Sequence, residues 1–218
     1  MKTKIVIVDY GMGNLRSVQK AFEASGAKPK VTSSPTEVEK ADKIILPGVG
    51  AFGQAMLELR KKKLVGVLKE KVRSGTPYLG LCLGLQLLFS FSEEGGVKGL
   101  DILPGRVKRF SSKVGKVPHM GWNTLSVRKK YCPLMQGVRG SDHFYFVHSF
   151  YAVPEEKEDV LASTHYGTDF CSAVWRDTIF ATQFHPEKSQ RAGLGIVENF
   201  IAFTPPLRPA NKFGGAGC

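Results

Sequence analysis

A chain of 218 residues with 42% hydrophobic content has enough apolar side chain for one packed core, and its 31 Lys and Arg against 19 Asp and Glu leave a formal charge of +12. Its four cysteines, Cys82, Cys132, Cys171 and Cys218, stand far apart with no paired spacing, which argues against a zinc site or disulfide framework and for a reduced, intracellular protein. The segment after Met1 is too short for a signal h-region and no apolar run reaches membrane-spanning length, so the expectation is a soluble, cytoplasmic protein with no membrane partner.

Lys4-Ile5-Val6-Ile7-Val8 reads as a buried parallel strand. A glycine turn over Asp9 to Asn14 leads into a helix over Leu15 to Ala24, with Asn14 as N-cap and Gly26 just past the end. Gly11-Met12-Gly13 lacks the third glycine of a dinucleotide fingerprint, and no acidic ribose partner follows at the right distance. A second strand over Lys30 to Ser33 precedes a helix start at Ser34-Pro35-Thr36-Glu37, which has a cap residue, a first-position proline and an N3 carboxylate. The third strand, Lys43 to Leu46, runs into Pro47-Gly48-Val49-Gly50, a tight loop whose backbone is open to close approach. Helices follow over Phe52 to Arg60 and Leu64 to Ser74. Arg60-Lys61-Lys62-Lys63 and, later, Arg128-Lys129-Lys130 are not interleaved with aromatics, so they read as a solvated basic face, with attraction of an acidic partner or anionic metabolite next; no nucleic-acid partner is expected.

Pro77-Tyr78-Leu79-Gly80-Leu81 is a central strand, and Leu83 to Phe89 continues as a helix, so Cys82 sits at their junction between Gly80 and Gly84. That is the pattern of a nucleophile elbow. A thiol there gains from the partial positive charge of the helix N-terminus, and the Leu83 N–H points to where an oxyanion forms. A buried core cysteine is an equal reading of these five residues until a base is found. Alternating strands and helices with a central elbow predict an α/β fold with a doubly wound, mostly parallel sheet. Beyond Glu93-Glu94-Gly95-Gly96 the chain turns to short strands, around Arg106 to Phe110, Phe144 to Ala152, Val160 to Thr164, Cys171 to Trp175 and Thr178 to Phe184, read as antiparallel hairpins added to that sheet. A last helix over Leu194 to Phe203 completes one domain, residues 1–203, and the Pro- and Gly-rich stretch 204–218 is expected to be a flexible tail.

Among five histidines, His119, His143, His148 and His165 lie in or beside strands, where a structural role is the default. His185 follows the end of a strand, Pro186 stiffens the next step, and Glu187 two residues on faces the same way in an extended chain, placed to hold the ring. With Cys82 this makes a Cys-His-Glu triad.

The glycine-flanked cysteine, the Pro47-Gly48-Val49-Gly50 loop and the terminal His185-Pro186-Glu187 together resemble the class I (triad) glutamine amidotransferases, over about Lys4 to Phe203. Within them, Asp9-Tyr10-Gly11-Met12-Gly13-Asn14-Leu15, Lys116-Val117-Pro118-His119-Met120-Gly121-Trp122-Asn123, Phe144-Tyr145-Phe146-Val147-His148-Ser149 and Gln183-Phe184-His185-Pro186-Glu187-Lys188-Ser189 are most similar to the HisH-type glutaminase subunits of imidazole glycerol phosphate synthase. The resemblance implies glutamine as substrate, Cys82, His185 and Glu187 as catalytic residues, and an oxyanion hole from Leu83 and the Val49-Gly50 peptide. It implies substrate contacts from Gln86, Ser149 and Phe150, the last two by backbone, with no cofactor and no metal. It further implies a heterodimer with a (β/α)8-barrel cyclase subunit of the HisF type, which takes ammonia through a face carrying His119, Trp122 and Tyr145. The chain departs from the family pattern in having Phe150 where tyrosine is frequent. The rival readings are glutaminases serving pyridoxal, anthranilate or guanylate synthesis, against which the block 118–123 argues; a γ-glutamyl peptidase or other cysteine hydrolase, which has no need of an ammonia-delivering face; and a non-enzymatic binding scaffold, which needs a broken triad where none is broken.

Overall fold

The computed structural model describes residues 3–205. Four β-branched residues, all buried, form β1 (Ile5–Val8). The helix α1 (Leu15–Ala24) starts where Asn14 accepts a hydrogen bond from the Ser17 N–H at 3.2 Å, and it buries Val18, Ala21 and Phe22 along one stripe. After β2 (Lys30–Thr32) comes α2 (Pro35–Glu39). The capping box expected there is not formed: the Ser34 side chain makes no cap bond, and Glu37 instead pairs with Lys4 and Lys30 at 3.0 and 2.9 Å, two nearby cations outcompeting one backbone N–H for the carboxylate. Then follow β3 (Lys43–Gly48), α3 (Phe52–Lys61), α4 (Leu64–Arg73), β4 (Tyr78–Cys82) and α5 (Leu83–Gln86).

The second half is mainly strands: β5 (Phe89–Ser92), β6 (Val97–Lys98), β7 (Leu103–Arg109), β8 (His119–Thr124), β9 (Ser126–Val127), β10 (His143–His148), β11 (Phe150–Pro154), β12 (Val160–His165), β13 (Asp169–Arg176) and β14 (Ile179–Thr182). The helix α6 (Gln190–Ala202) closes the described chain. In the main sheet the order is β2-β1-β3-β4-β14-β13-β11-β7-β5-β6, with β12 and β9 branching from β13. The neighbours from β2 to β14 are parallel, and beyond β14 the pairings are antiparallel except β5 with β7.

Side chains alternate across this sheet with the period of two that strands impose. Val6, Val8, Ile44 and Leu46 pack with α2, α3 and α4 on one face. Ile5, Ile7, Ile45 and Leu81 pack with α1 and α6 on the other. The sheet is therefore covered on both sides, the doubly wound arrangement, and the loops leaving β3 and β4 meet at its carboxyl edge.

Two further expectations differ from the structure. The helix after Cys82 ends at Gln86 rather than Phe89, because the Leu87 and Leu88 carbonyls accept from the N–H groups of Leu100, Ile102 and Leu103 and the chain enters β5. The strand expected over Phe144 to Ala152 is broken at Ser149: β10 pairs with β8 in a separate two-stranded ribbon, and β11 joins the main sheet beside β7. Of the expected tail, only Thr204 and Pro205 fall within the described residues, and Cys218 lies outside them. No helix among the described residues is long and apolar enough to cross a membrane.

Candidate active site

Cys82 ends β4 with φ +53° and ψ −104°, outside the region an L-residue ordinarily occupies, a strain that costs about 1–3 kcal/mol and concentrates at functional positions. The flanking glycines make this turn feasible. A Cβ on Gly84 would run into the Leu46 carbonyl, and one on Gly80 would lie 2.6 Å from the Gly84 carbonyl oxygen, which also accepts from the Tyr78 hydroxyl at 2.8 Å. As the first residue of α5, Leu83 has no intrahelical acceptor for its N–H. β3 pairs with β4 as far as Gly48 beside Cys82, so the loop carrying Val49 and Gly50 opens next to the sulfur. Gly50 has φ +96°, and a Cβ there would lie 2.8 Å from the Met12 side chain.

His185 follows β14, the strand paired with β4. Its backbone N–H donates to the Tyr145 carbonyl at 2.9 Å and its carbonyl accepts from Ser189 Oγ at 2.6 Å, so the ring sits on a fixed base. The imidazole Nδ1 lies 2.8 Å from Glu187 Oε1, with side-chain exposures of only 3% and 4%. A carboxylate only accepts, so Nδ1 carries the hydrogen and Nε2 is left for the nucleophile. The segment Pro186–Lys188 is a 3-10 turn and not the extended chain expected, so Glu187 reaches the ring by folding back. Burial pulls the His185 pKa down, but the Cys82 thiolate and then Glu187 outweigh it and raise the value to about 10. His185 is thus held as imidazolium against the Glu187 carboxylate.

A cleft of about 310 Å³ brings together Val49, Gly50, Cys82, Leu83, Gln86, Ser149 and Phe150. Those seven are the expected nucleophile, oxyanion and substrate residues. A larger hollow of about 780 Å³ beside the start of α6 contains none of them. Trp122 and Tyr145 face each other across β8 and β10 with ring centroids 5.9 Å apart, Trp122 and its neighbour Met120 being well exposed. His119 is not on that face. It lies an odd number of positions from Trp122, so its side chain turns inward, 3% exposed, stacked on Phe146 and Tyr166 and 3.0 Å from His148. Burial lowers the His119 pKa to about 4 and that of His148 to about 3, so both are neutral near pH 7.

Glu94, His148 and Gln183 also reach this region, though the sequence assigns none of them a role there. Glu94 lines the cleft and accepts from the Phe52 N–H at 2.8 Å; in the sequence it reads only as part of a helix-breaking turn. Gln183 Nε2 lies 3.6 Å from the Cys82 sulfur, and the rule that pairs residues two apart points from His185 back to it. Among the described residues no group of three or more His, Cys, Asp or Glu is placed to hold a metal. The basic clusters 60–63 and 128–130 contribute nothing to the cleft.

The chain matches the family model described as Glutamine amidotransferase class-I over residues 6–203. It is 54% identical over 203 residues to the imidazole glycerol phosphate synthase subunit HisH of Syntrophotalea carbinolica, covering 90% of this chain and 98% of that one. The subunit of the same name from Moorella thermoacetica is 53% identical over 197 residues, covering 90% and 93%. Among solved structures, a chain of PurLQS from Thermotoga maritima superposes with a TM-score of 0.73 at 19% identity, covering 92% of this chain and 98% of that one. A glutamine amidotransferase from the same organism gives 0.66 at 12% identity, with 93% and 100% covered. At such identities these structures speak for the fold alone.

Proposed function

The chain belongs to the class I glutamine amidotransferases, and from that premise we propose that it is the glutaminase subunit of an imidazole glycerol phosphate synthase, a cytoplasmic enzyme that passes ammonia to a cyclase subunit in histidine biosynthesis. The observation that carries this reading is the strained Cys82 at the cleft, with the buried His185–Glu187 pair following the strand next to its own, in a chain about half identical to HisH subunits over nine-tenths of its length.

Cys82 sulfur attacks the side-chain amide carbon of glutamine as the thiolate. The carbonyl oxygen becomes an oxyanion, met by the Leu83 N–H and one from the Val49-Gly50 peptide. Imidazolium His185 gives its proton to the leaving nitrogen, ammonia departs, and a γ-glutamyl thioester remains. Neutral His185 then takes a proton from water, which hydrolyses the thioester to glutamate and returns the thiolate. Glu187 keeps Nδ1 protonated and the ring aimed throughout. Both Gln86 Nε2 hydrogens are used, at 3.0 Å to the Phe150 carbonyl and 3.0 Å to Gln183, so Gln86 offers substrate only its oxygen and suits the α-ammonium group. Glu94, the one carboxylate lining the cleft, favours the same positive group. Ser149 and Phe150 line the same cleft beside Gln86.

The exposed Met120 and Trp122, with the half-buried Tyr145 against Trp122, form the docking face for the (β/α)8 cyclase, since apolar surface of this kind is stabilised by a covering partner. The test is steady-state glutamine hydrolysis by the chain alone, with the cyclase, and with cyclase plus an acceptor analogue. A strong rise across the three supports the assignment. Rates agreeing within a factor of about two, less than roughly half a kcal/mol in barrier, contradict it.

A further inference from the structure

Between the nucleophile and the substrate wall runs a buried line of hydrogen bonds whose direction follows from groups that can only accept. The Phe150 carbonyl accepts from His148 Nδ1 at 2.8 Å and from Gln86 Nε2 at 3.0 Å. With Nδ1 protonated and the ring neutral, His148 Nε2 is an acceptor, so His119 Nδ1 donates to it at 3.0 Å and His119 Nε2 faces the Asn123 amide nitrogen at 3.3 Å. Gln86 is therefore anchored with its nitrogen inward. Its second Nε2 hydrogen meets Gln183, 3.0 Å away, and Gln183 must present its oxygen there. That leaves Gln183 Nε2 pointing at the Cys82 sulfur, 3.6 Å away, within reach of an N–H···S bond. The reverse orientation would set two NH2 groups against each other and an oxygen against sulfur. Gln183 is fully buried, so no water competes for its amide.

We propose that Gln183 is a positioning residue for the reaction: its N–H donates to the Cys82 thiolate while its carbonyl locks Gln86 with the oxygen toward substrate. One side chain thus holds both the aim of the nucleophile and the polarity of a substrate contact. In the cycle the bond is strongest to free thiolate, weakens when sulfur is neutral in the thioester, and re-forms as the thiolate leaves during hydrolysis. No atom is transferred to or from Gln183.

This rests on Cys82 being the nucleophile, so the first readout is the sulfur itself, with glutamine kinetics as the second. Full-length chain is alkylated with iodoacetamide across pH 5 to 10, and the peptide bearing Cys82 is quantified by mass spectrometry. Gln183→Met removes donor and acceptor, whereas Gln183→Glu keeps an oxygen for Gln86 and turns another toward sulfur. Losing one hydrogen bond to a charged group corresponds to roughly a tenfold to hundredfold change, so Q183M is expected to slow alkylation at neutral pH by at least about tenfold and to move its half-maximal pH upward. Q183E is expected to slow it further, with KM for glutamine close to wild type and kcat reduced, whereas Q183M raises KM as well. Two variants guard against one that fails to fold. Alkylation of Q183M within a factor of two of wild type at every pH, or Q183E reacting faster than Q183M, overturns the proposal. If wild-type Cys82 itself reacts no faster than it does in His185→Ala, the nucleophile assignment fails instead, and the two failures are told apart.

Discussion

Replacing Glu187 by Gln separates the charge of the third triad member from its shape. Gln keeps an oxygen able to accept from His185 Nδ1, so the ring stays aimed, while the negative charge 2.8 Å away is removed from a pair almost wholly out of water. A hydrogen bond to a charged partner is worth about 1–1.5 kcal/mol more than one to a neutral partner, and about 1.36 kcal/mol corresponds to one pH unit, so the titration of His185 should move down by about one unit. In the wild type the imidazolium persists until pH rises through about 10, because the Cys82 thiolate and Glu187 together overcome burial. Since the imidazolium protonates the leaving nitrogen, the basic limb of kcat/KM lies near that value and falls to about 9 in E187Q. The assay is glutamine hydrolysis from pH 6 to 11, with the imidazole followed in parallel by NMR. A basic limb at the same pH in both proteins, or one moved upward in E187Q, would mean that the Glu187 charge does not hold the proton on His185. At neutral pH, E187Q should slow turnover far less than His185→Ala, because the proton-transferring group is still present.

Gly84→Ala should cost more than about 2 kcal/mol in urea unfolding and remove activity, because its methyl group meets the Leu46 backbone and displaces the turn that holds Cys82; a stable, active variant counts against the elbow account. Lys43→Met removes an ammonium that donates to the carbonyls of Phe200, Ile201 and Phe203 at 2.5–3.0 Å, fastening the end of α6 to β3. A loss of about 1–3 kcal/mol, or roughly 3–10 °C in Tm by calorimetry, is expected without change in kcat. His119 and His148 set an acid limit on stability. With folded values lowered to about 4 and about 3 and an unfolded value near 6.5, their contribution is complete above pH 6.5 and is lost as pH falls from there toward 4 and 3. The limiting slope is about 2.7 kcal/mol per pH unit for two protons. Urea midpoints between pH 6.5 and 5 should fall less steeply in His148→Gln than in wild type, and equal slopes would assign the acid loss to other groups.

What the sequence discloses here is what short-range physics enforces. The bounds of α1, the starts of β3, α3 and α4, and the turn at Cys82 follow from apolar periodicity, an Asn cap and glycines whose positions leave no room for Cβ. The triad is legible because Cys82 ends one central strand, His185 follows the end of its neighbour, and Glu187 lies two residues beyond His185. Features that depend on partners distant in sequence are hidden. Nothing around Leu87 announces that its carbonyl goes to Leu100 and not to the next helical turn, nor that β10 leaves the main sheet for β8. The inward turn of His119 follows from β8 alternation once Trp122 is known to be outside, but which face is outside depends on the Phe146 and Phe170 rings packed beneath. The roles of Glu94 and Gln183 arise only when the β4, β14 and α3 ends converge on one cleft.

The most direct measurement of the central claim is acid-quenched labelling of Cys82 during turnover. With radiolabelled glutamine and the cyclase present, wild-type chain should yield label on the peptide containing Cys82, released by hydroxylamine as a thioester is, and His185→Ala should yield little, since without the proton donor ammonia does not leave. Cys82→Ser should carry no thioester and hydrolyse no glutamine while keeping the wild-type Tm within a few degrees. Label on another residue, or wild-type-like hydrolysis by C82S, would contradict the assignment of Cys82 as the nucleophile.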